Sequence, residues 1–500
     1  SGQTTMELWQ QVCLVAYCSV VVILGIYGFH RYLLLRLFHR HQGETVAPHS
    51  CFATLPPITI QLPLYNEFHV VERLLDAVSQ IDYPRELLQV QVLDDSTDAT
   101  SQRARQYCER LQRSGLNIYY LHRAERTGFK AGALAAGLAS ATGEFVLILD
   151  ADFVPPACLL HRTIHHFTDS QIGMVQTRWG HLNREHSLLT RIQSIFLDGH
   201  FVIEHTARSR SGRFFNFNGT GGIWRKATIV EAGGWQHDTL TEDLDLSYRA
   251  QLAGWRFLFL SDVEVPGEIP VEINGFKSQQ HRWTKGAVQV AKKLLFRIWS
   301  SDAAVKTKIE ATFHLTANIC YILMLLMAVL TLPVLDIRTH LGWERLLIVD
   351  LPLFSFATMA ISGFYLASQR ALYRDWKRQI KLLPMLMAIG MSLCINNTRA
   401  VIEGWIGYET PFLRTPKYGV TNGTHAPQKP LYSSRRTVLA LGELGMAAYF
   451  AYALHQAWHT ELYLGLPFLL LFHVGFLYTG SLSSAQEWLR RLRSDTPIDA

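Results

Sequence analysis

Two kinds of chain alternate along these 500 residues, and neither a purely soluble nor a purely membrane fold accommodates both. Residues 8 to 29 (LWQQVCLVAYCSVVVILGIYGF) are almost free of charge, residues 52 to 283 carry charges and turn signals, and beyond about residue 312 the chain turns apolar again. A helix of about 20 apolar residues crosses a bilayer. The sequence therefore divides into an amino-terminal apolar segment, a soluble domain and a carboxyl-terminal membrane region. The first apolar run is too long for a signal peptide and lacks a small-residue cleavage site, so it reads as an anchor. A formal net charge of +6 suggests nucleic acid only when Lys and Arg line one face of a soluble fold. Here they cluster beside apolar segments, which points to membrane orientation and to no nucleic-acid partner. The seven cysteines show neither a Cys-x-x-Cys pair nor zinc spacing, and Cys13, Cys18, Cys320 and Cys394 lie in apolar runs where Cys behaves as a small hydrophobe.

Charge asymmetry orients the spans. No Lys or Arg precedes the first segment, whereas Arg31, Arg36 and Arg40 follow it, so its carboxyl end and the soluble domain are expected on the cytoplasmic side. Lys292, Lys293, Arg297, Lys306 and Lys308 precede an apolar run at about 312 to 335, and a run at about 346 to 368 ends before Arg370, Arg374, Lys377, Arg378 and Lys381. These two form an out-and-back hairpin. The stretch at about 382 to 402 has basic residues at both ends and contains Asn396, Asn397 and Arg399, which are expensive in hydrocarbon, so an interfacial helix is expected there, with an ordinary span and a basic outer loop as the alternative. Runs at about 437 to 457 and 461 to 480 form a last hairpin, giving five spans.

Within the soluble part, the β-rich runs 57–63 and 88–93 flank an amphipathic stretch with Val70, Leu74, Leu75 and Val78 at helical spacing. Strand, helix, strand implies a parallel α/β sheet. Asp94-Asp95 and Asp150-Ala151-Asp152 each follow a strand, where open α/β sheets collect ligands. An Asp-x-Asp at such an end suits a hard divalent cation holding a diphosphate, although a turn or helix cap uses the same residues. Further along stand Thr241-Glu242-Asp243 and Gln279-Gln280-His281-Arg282-Trp283, with membrane segments close behind.

In order, Gln61-Leu-Pro-Leu-Tyr-Asn-Glu67, Leu93-Asp-Asp-Ser-Thr-Asp98, Lys130-Ala-Gly-Ala133, Asp150-Ala-Asp152, Phe214 to Thr220, Thr241-Glu-Asp243 and Gln279 to Trp283 make residues 55 to 300 resemble glycosyltransferase family 2. The likeness is to its processive membrane-embedded branch, which includes cellulose and hyaluronan synthases, and most to the plant cellulose-synthase-like A and C groups. That resemblance implies a GT-A-type, Rossmann-like α/β domain joined to transmembrane and interfacial helices. It implies that Tyr65, Glu67 and Asp95 hold the nucleobase and ribose, that Lys130 steadies the nucleotide, and that Asp150 and Asp152 bind it through Mg2+ or Mn2+. Asp243 would be the general base, Gln279 and Arg282 would close over the diphosphate, and Trp283, Glu242, Phe217 and Asn218 would meet the acceptor. Phe412, Arg414, Thr415 and Lys417 resemble the gating loop of these synthases; a basic cytoplasmic loop obeying the charge rule is the plainer reading of the same residues.

The expected division is then 1–45 transmembrane helix, 46–283 glycosyltransferase domain, 284–311 interfacial region, 312–368 transmembrane hairpin, 369–408 interfacial helix, 409–436 gating-like loop, 437–481 transmembrane hairpin and 482–500 cytoplasmic tail. The resemblance implies an inverting transfer of a hexosyl unit from UDP-glucose or GDP-mannose to the non-reducing end of a β-1,4-glucan or mannan that is moved across the plasma (inner) membrane. Expected partners are the donor, the acceptor polymer, the bilayer and an envelope protein. A ceramide or diacylglycerol β-glucosyltransferase is the alternative, and a scaffold without catalysis is the reading from a different class. The motifs leave the donor base and sugar open.

Overall fold

The computed structural model describes residues 6–340, 347–409, 415, 417–422 and 437–494. Its soluble part is built on seven strands: β1 (Ile58–Leu64), β2 (Leu88–Asp94), β3 (Ile118–His122), β4 (Phe145–Ile148), β5 (Ile172–His181), β6 (Gly222–Arg225) and β7 (Arg256–Gly267). Their order across the sheet is β3-β2-β1-β4-β6-β5-β7. β1, β2, β3 and β4 run parallel, β6 alone is antiparallel to its neighbours β4 and β5, and β5 pairs parallel with β7.

This topology decides where chemistry can gather. The parallel strands deliver their carboxyl ends to one edge, and the reversed β6 brings the segment before its start to that same edge, with Gly222 paired to Ile148. Residues 65–67, Asp95, Asp150 to Asp152, His181 and Glu268 therefore meet Asn218 and Gly219 along one rim. The central strands are buried on both faces, as parallel strands covered by helices must be. Ile58, Ile60 and Leu62 pack with Leu74, Leu75 and Val78 of the helix Val71–Ser79, and Val146 and Ile148 pack with Ala131 and Leu134 of the helix Phe129–Ala139.

Among the described residues four helices are long and apolar enough to cross a membrane: Leu8–His41, Ile319–His340, Val438–His459 and Tyr463–Arg491. The span expected at about 346 to 368 coincides with a further helix, Leu347–Leu372. The segment expected to lie in the interface is not one straight rod. Trp376–Ser392 and Cys394–Ile406 meet at a 40° bend. The boundary expected at residue 283 falls inside a single helix, Ile273–Trp299, which begins at the soluble domain and runs on beneath the membrane region.

Helix Ile273–Trp299 is tied to the membrane helices by a buried ion pair. The Lys277 ammonium, 1% exposed, donates to the fully buried Glu443 at 2.5 Å and to Ser483 Oγ at 2.7 Å, while the Lys277 carbonyl accepts from Asn396 Nδ2 at 2.9 Å. Removing one partner of such a pair strands a buried charge, at a cost of about 3–5 kcal/mol, whereas replacing both with apolar groups of similar volume is often neutral. Lys277→Met is therefore expected to lower the melting temperature of the detergent-solubilised protein sharply, and Lys277→Met with Glu443→Leu to recover most of it. A single mutant as stable as the wild type would contradict the pairing.

Candidate active site

The shared rim opens into a cavity of about 200 Å³. Tyr65, Glu67, Asp95, Lys130, Asp150, Asp152, Asn218, Glu242, Asp243, Gln279, Arg282, Trp283, Thr415 and Lys417 all line it. Phe217 does not face it. Its ring is fully buried edge-on to Trp224, 5.5 Å between centroids, so it supports the floor from below and is corrected from an acceptor contact to a packing residue. Phe412 and Arg414 lie outside the described residues.

At one end, the Arg126 guanidinium sits 3.4 Å from the centroid of the Tyr65 ring, a cation–π contact. Asp95 accepts two hydrogen bonds from Arg123, Nε at 2.7 Å and Nη2 at 2.6 Å. Arg123 also donates to the carbonyls of Thr127 (3.1 Å) and Phe129 (3.0 Å), fixing the turn that launches the helix carrying Lys130. Its neighbour Asp94 has a different task. Fully buried, it accepts from the Ser96 N–H at 3.0 Å and the Tyr120 hydroxyl at 2.6 Å and so shapes the loop.

At the centre, Lys130 bridges two strand ends, donating to Asp150 and to the Gly219 carbonyl at 2.9 Å. Burial works to lower the Lys130 ammonium, but Asp150, Glu242 and Asp243 outweigh it and raise its pKa. Gly219 holds φ +82°, and a Cβ there would lie 3.1 Å from Asp243 Oδ2 and 3.4 Å from Lys130 Nζ, so glycine is what lets this strand entry press against both groups. Glu242 and Asp243 open the helix Glu242–Leu252, where the Leu244 N–H donates to Asp243 Oδ1 at 2.8 Å. Burial and the adjoining Glu242 push the Asp243 carboxyl up to about 7 against the opposing pull of Lys130. Burial likewise raises Glu242.

The roof is the helix Ile273–Trp299. Gln279, Arg282 and Trp283 follow i, i+3, i+4 spacing and so share one face. One turn further on stands Gly286, where a Cβ would lie 2.4 Å from Thr241 Cγ2. The missing side chain lets the Thr241-Glu242-Asp243 turn dock against the helix that bears Arg282 and Trp283.

The far wall comes from the loop after the bent pair. Lys417 donates to Asp152 Oδ2 at 2.7 Å and to the Glu268 carbonyl, and the Glu268 carboxylate accepts from the N–H groups of Tyr418 (2.9 Å) and Gly419 (3.0 Å). Lysines thus neutralise both acids of the Asp-x-Asp, Lys130 on Asp150 and Lys417 on Asp152. Among the described residues no group of three or more His, Cys, Asp or Glu side chains forms a metal cage. Two carboxylates lining the cavity fit Mg2+ or Mn2+, which take one or two carboxylates and complete their shell with phosphate and water.

Sequence reasoning missed Arg126, Trp179, His181 and Glu268, which also line the cavity. His181 and Glu268 directly follow or end strands at the same rim as the acidic clusters, so only the sheet order, not any local motif, reveals them.

A mixed sheet with an acidic pair after β4, a carboxylate pair on a facing helix and a cavity across the strand ends defines a GT-A-type glycosyltransferase domain. The sequence profile described as "Glycosyltransferase like family 2" matches residues 56–286, and this domain belongs to that family. Glucomannan 4-beta-mannosyltransferase 1 of Oryza sativa subsp. japonica is 43% identical over 49% of this chain and 48% of its own length. Glucomannan 4-beta-mannosyltransferase 2 of Arabidopsis thaliana is 42% identical over 49% of this chain and 47% of its own. The chain spans about half the length of these curated relatives. In fold it is similar to the mannosyltransferase PcManGT from Pyrobaculum calidifontis, solved in complex with GDP-Man and Mn2+, with a TM-score of 0.51, 21% identity, and coverage of 78% of this chain and 99% of that one.

Gly286→Ala tests the docking of the two motifs. Alanine improves helix propensity by about 1 kcal/mol, yet its methyl displaces Thr241 and with it Glu242 and Asp243. Turnover of the nucleotide-sugar substrate is expected to fall roughly 10²-fold, as misplacement of a reacting group by about 1 Å can cause. Unchanged turnover with raised thermal stability would show that the helix face alone governs this position.

Proposed function

We propose that this chain is a membrane-bound inverting glycosyltransferase that extends a β-1,4-linked mannan-type backbone from GDP-mannose, using Mg2+ or Mn2+. The observation that carries the reaction type is the half-buried Glu242–Asp243 pair facing Asp150 and Lys130 across the cavity. The relatives' names support a mannosyl unit over a glucosyl one.

The chemistry follows from the lining. A sugar hydroxyl is a weak nucleophile, and Asp243, half-buried with its pKa raised, lines the cavity where it can take that proton as the bond to the anomeric carbon forms. Asp150 and Asp152 would hold Mg2+ or Mn2+, which would supply charge neutralisation for the diphosphate. Arg282, cationic at any working pH, faces the same space from the roof and stabilises negative charge gathering on the leaving group. Tyr65 and Arg126 offer a flat, cationic surface at the nucleobase end, and Trp283 an apolar face for the acceptor ring. A single displacement by one base needs no covalent intermediate and inverts the anomeric centre. The loop bearing Lys417, latched through Glu268, serves as a gate that exchanges its contact with Asp152 for the donor's phosphates. The apolar helices carry the product through the bilayer, with the catalytic domain on the cytoplasmic side of the plasma membrane.

Purified protein given labelled GDP-mannose and a manno-oligosaccharide is expected to release GDP and form a β-mannanase-sensitive polymer. A single-sugar product extractable into organic solvent would refute the polymer reading. Asp243→Asn is expected to lower kcat by about 10² to 10⁴.

The pH dependence has a definite sign. Because the carboxyl is raised, it stays protonated below about 7 and cannot act as a base there. The acid limb of kcat/KM is expected to bend near pH 7, as a property of the Glu242–Asp243 pair. A limb at the ordinary carboxylate value of about 4 would exclude this pair as the base.

A further inference from the structure

Behind the cavity floor lies a polar cluster that the reaction above does not use. The Asn218 side chain, which lines the cavity, is gripped from below by two histidines of the segment Gly199–His205. Its Oδ1 lies 2.5 Å from His205 Nε2, and its Nδ2 lies 2.8 Å from His200 Nε2. His200 Nδ1 is 3.0 Å from Glu204 Oε2. Glu204 also accepts from Arg208 (3.1 Å) and from Arg31 on the membrane helix Leu8–His41, and Arg208 donates at 2.9 Å to Glu310, which is paired with His30 of that helix at 2.8 Å.

One atom fixes the protons throughout. His205 is fully buried among Phe201, Phe215 and Phe259, and among the described residues its Nδ1 has no hydrogen-bond partner. Nδ1 lacks a partner in either tautomer, and a buried N–H without an acceptor is tolerated less readily than an under-satisfied acceptor. The proton therefore sits on Nε2 and is donated to an oxygen, which must be Asn218 Oδ1. The Asn218 NH2 then faces His200, whose Nε2 must be a bare acceptor, so its proton sits on Nδ1 and is donated to Glu204. Burial keeps the pKa of His205 well below the usual range, in keeping with a neutral ring. The carboxamide cannot flip without stranding a donor, and it retains one N–H and one lone pair for hydroxyl groups.

We infer that His200 and His205 are positioning residues, neutral and in opposite tautomers, which hold Asn218 in a single orientation toward the acceptor sugar, and that Glu204 and Arg31 tie this orientation to the first membrane helix. The inference rests on the glycosyl-transfer reading for the substrate at Asn218, but its proton pattern does not.

The test is a double-mutant cycle on the full-length protein with GDP-mannose and a manno-oligosaccharide. His205→Leu is expected to raise the acceptor KM about tenfold, with the donor KM within about twofold, and to add nothing in an Asn218→Ala background. His205→Gln, whose amide can still donate to Asn218, restores the acceptor KM to within about threefold. Equal losses in both backgrounds, or equal losses for Leu and Gln, overturn the inference. Isotope-labelled histidine NMR reads the same claim without substrate: an Nδ1–H tautomer for His200 and an Nε2–H tautomer for His205, assigned by loss of each signal in His200→Gln and His205→Gln. The reverse pair, or a doubly protonated His200, overturns it. If the wild type consumes no GDP-mannose, the proposed function fails and the imidazole signals alone decide this inference.

Discussion

A charge withdrawn from water must find its partner, and in this protein that requirement holds the soluble domain to the membrane region. Lys277 and Glu443 are both fully buried, one at the start of the helix that roofs the cavity and the other inside the helix Thr437–His459. Each is tolerable only while the other stays within contact distance. The roof helix is thereby registered against the membrane helices, and Gln279, Arg282 and Trp283, within two turns of Lys277, inherit that register. Lys285, two turns beyond it, donates to the Tyr408 carbonyl at 2.5 Å, binding the same helix to the end of the bent pair from which the Lys417 loop departs. A surface hydrogen bond between these parts would yield to water.

Within the cavity the same physics tunes reactivity. Asp150, Asp152, Glu242 and Asp243 crowd one small space, and the chain answers with Lys130, Lys417 and Arg282. The balance is incomplete at Asp243, where burial and Glu242 win over Lys130 and leave the carboxyl poised between its two states near neutral pH. Geometry and basicity thus have a common origin in the close approach that Gly219 and Gly286 permit. A larger side chain at either position would relieve the crowding and with it the raised pKa.

Much of this was legible in the linear sequence because local rules fixed it. Runs 57–63 and 88–93 are strands within a residue or so of their expected limits, a strand does precede Asp150, and the helical spacing of Val70 to Val78 is the helix packed on them. The i, i+3, i+4 spacing of Gln279, Arg282 and Trp283 placed them on one face. Phe217 misled, because an aromatic residue beside a site motif reads the same whether it faces substrate or packs beneath it. Arg126, His181 and Glu268 carried no local signal, and the 40° bend near residue 393 has none that hydropathy registers.

By itself, then, the sequence determined which segments are strands, which helices are apolar enough for a bilayer, and which acidic residues follow strand ends, since periodicity and composition act over a few residues. Only the tertiary structure decided that the reversed β6 would bring Asn218 to the rim, that Lys277 would bury its charge against Glu443, and that Arg31 of the first membrane helix would reach Glu204 beneath the floor. Pairings between residues more than a hundred positions apart are selected by strand order and by the desolvation of charge, and neither is written in any local window of the chain.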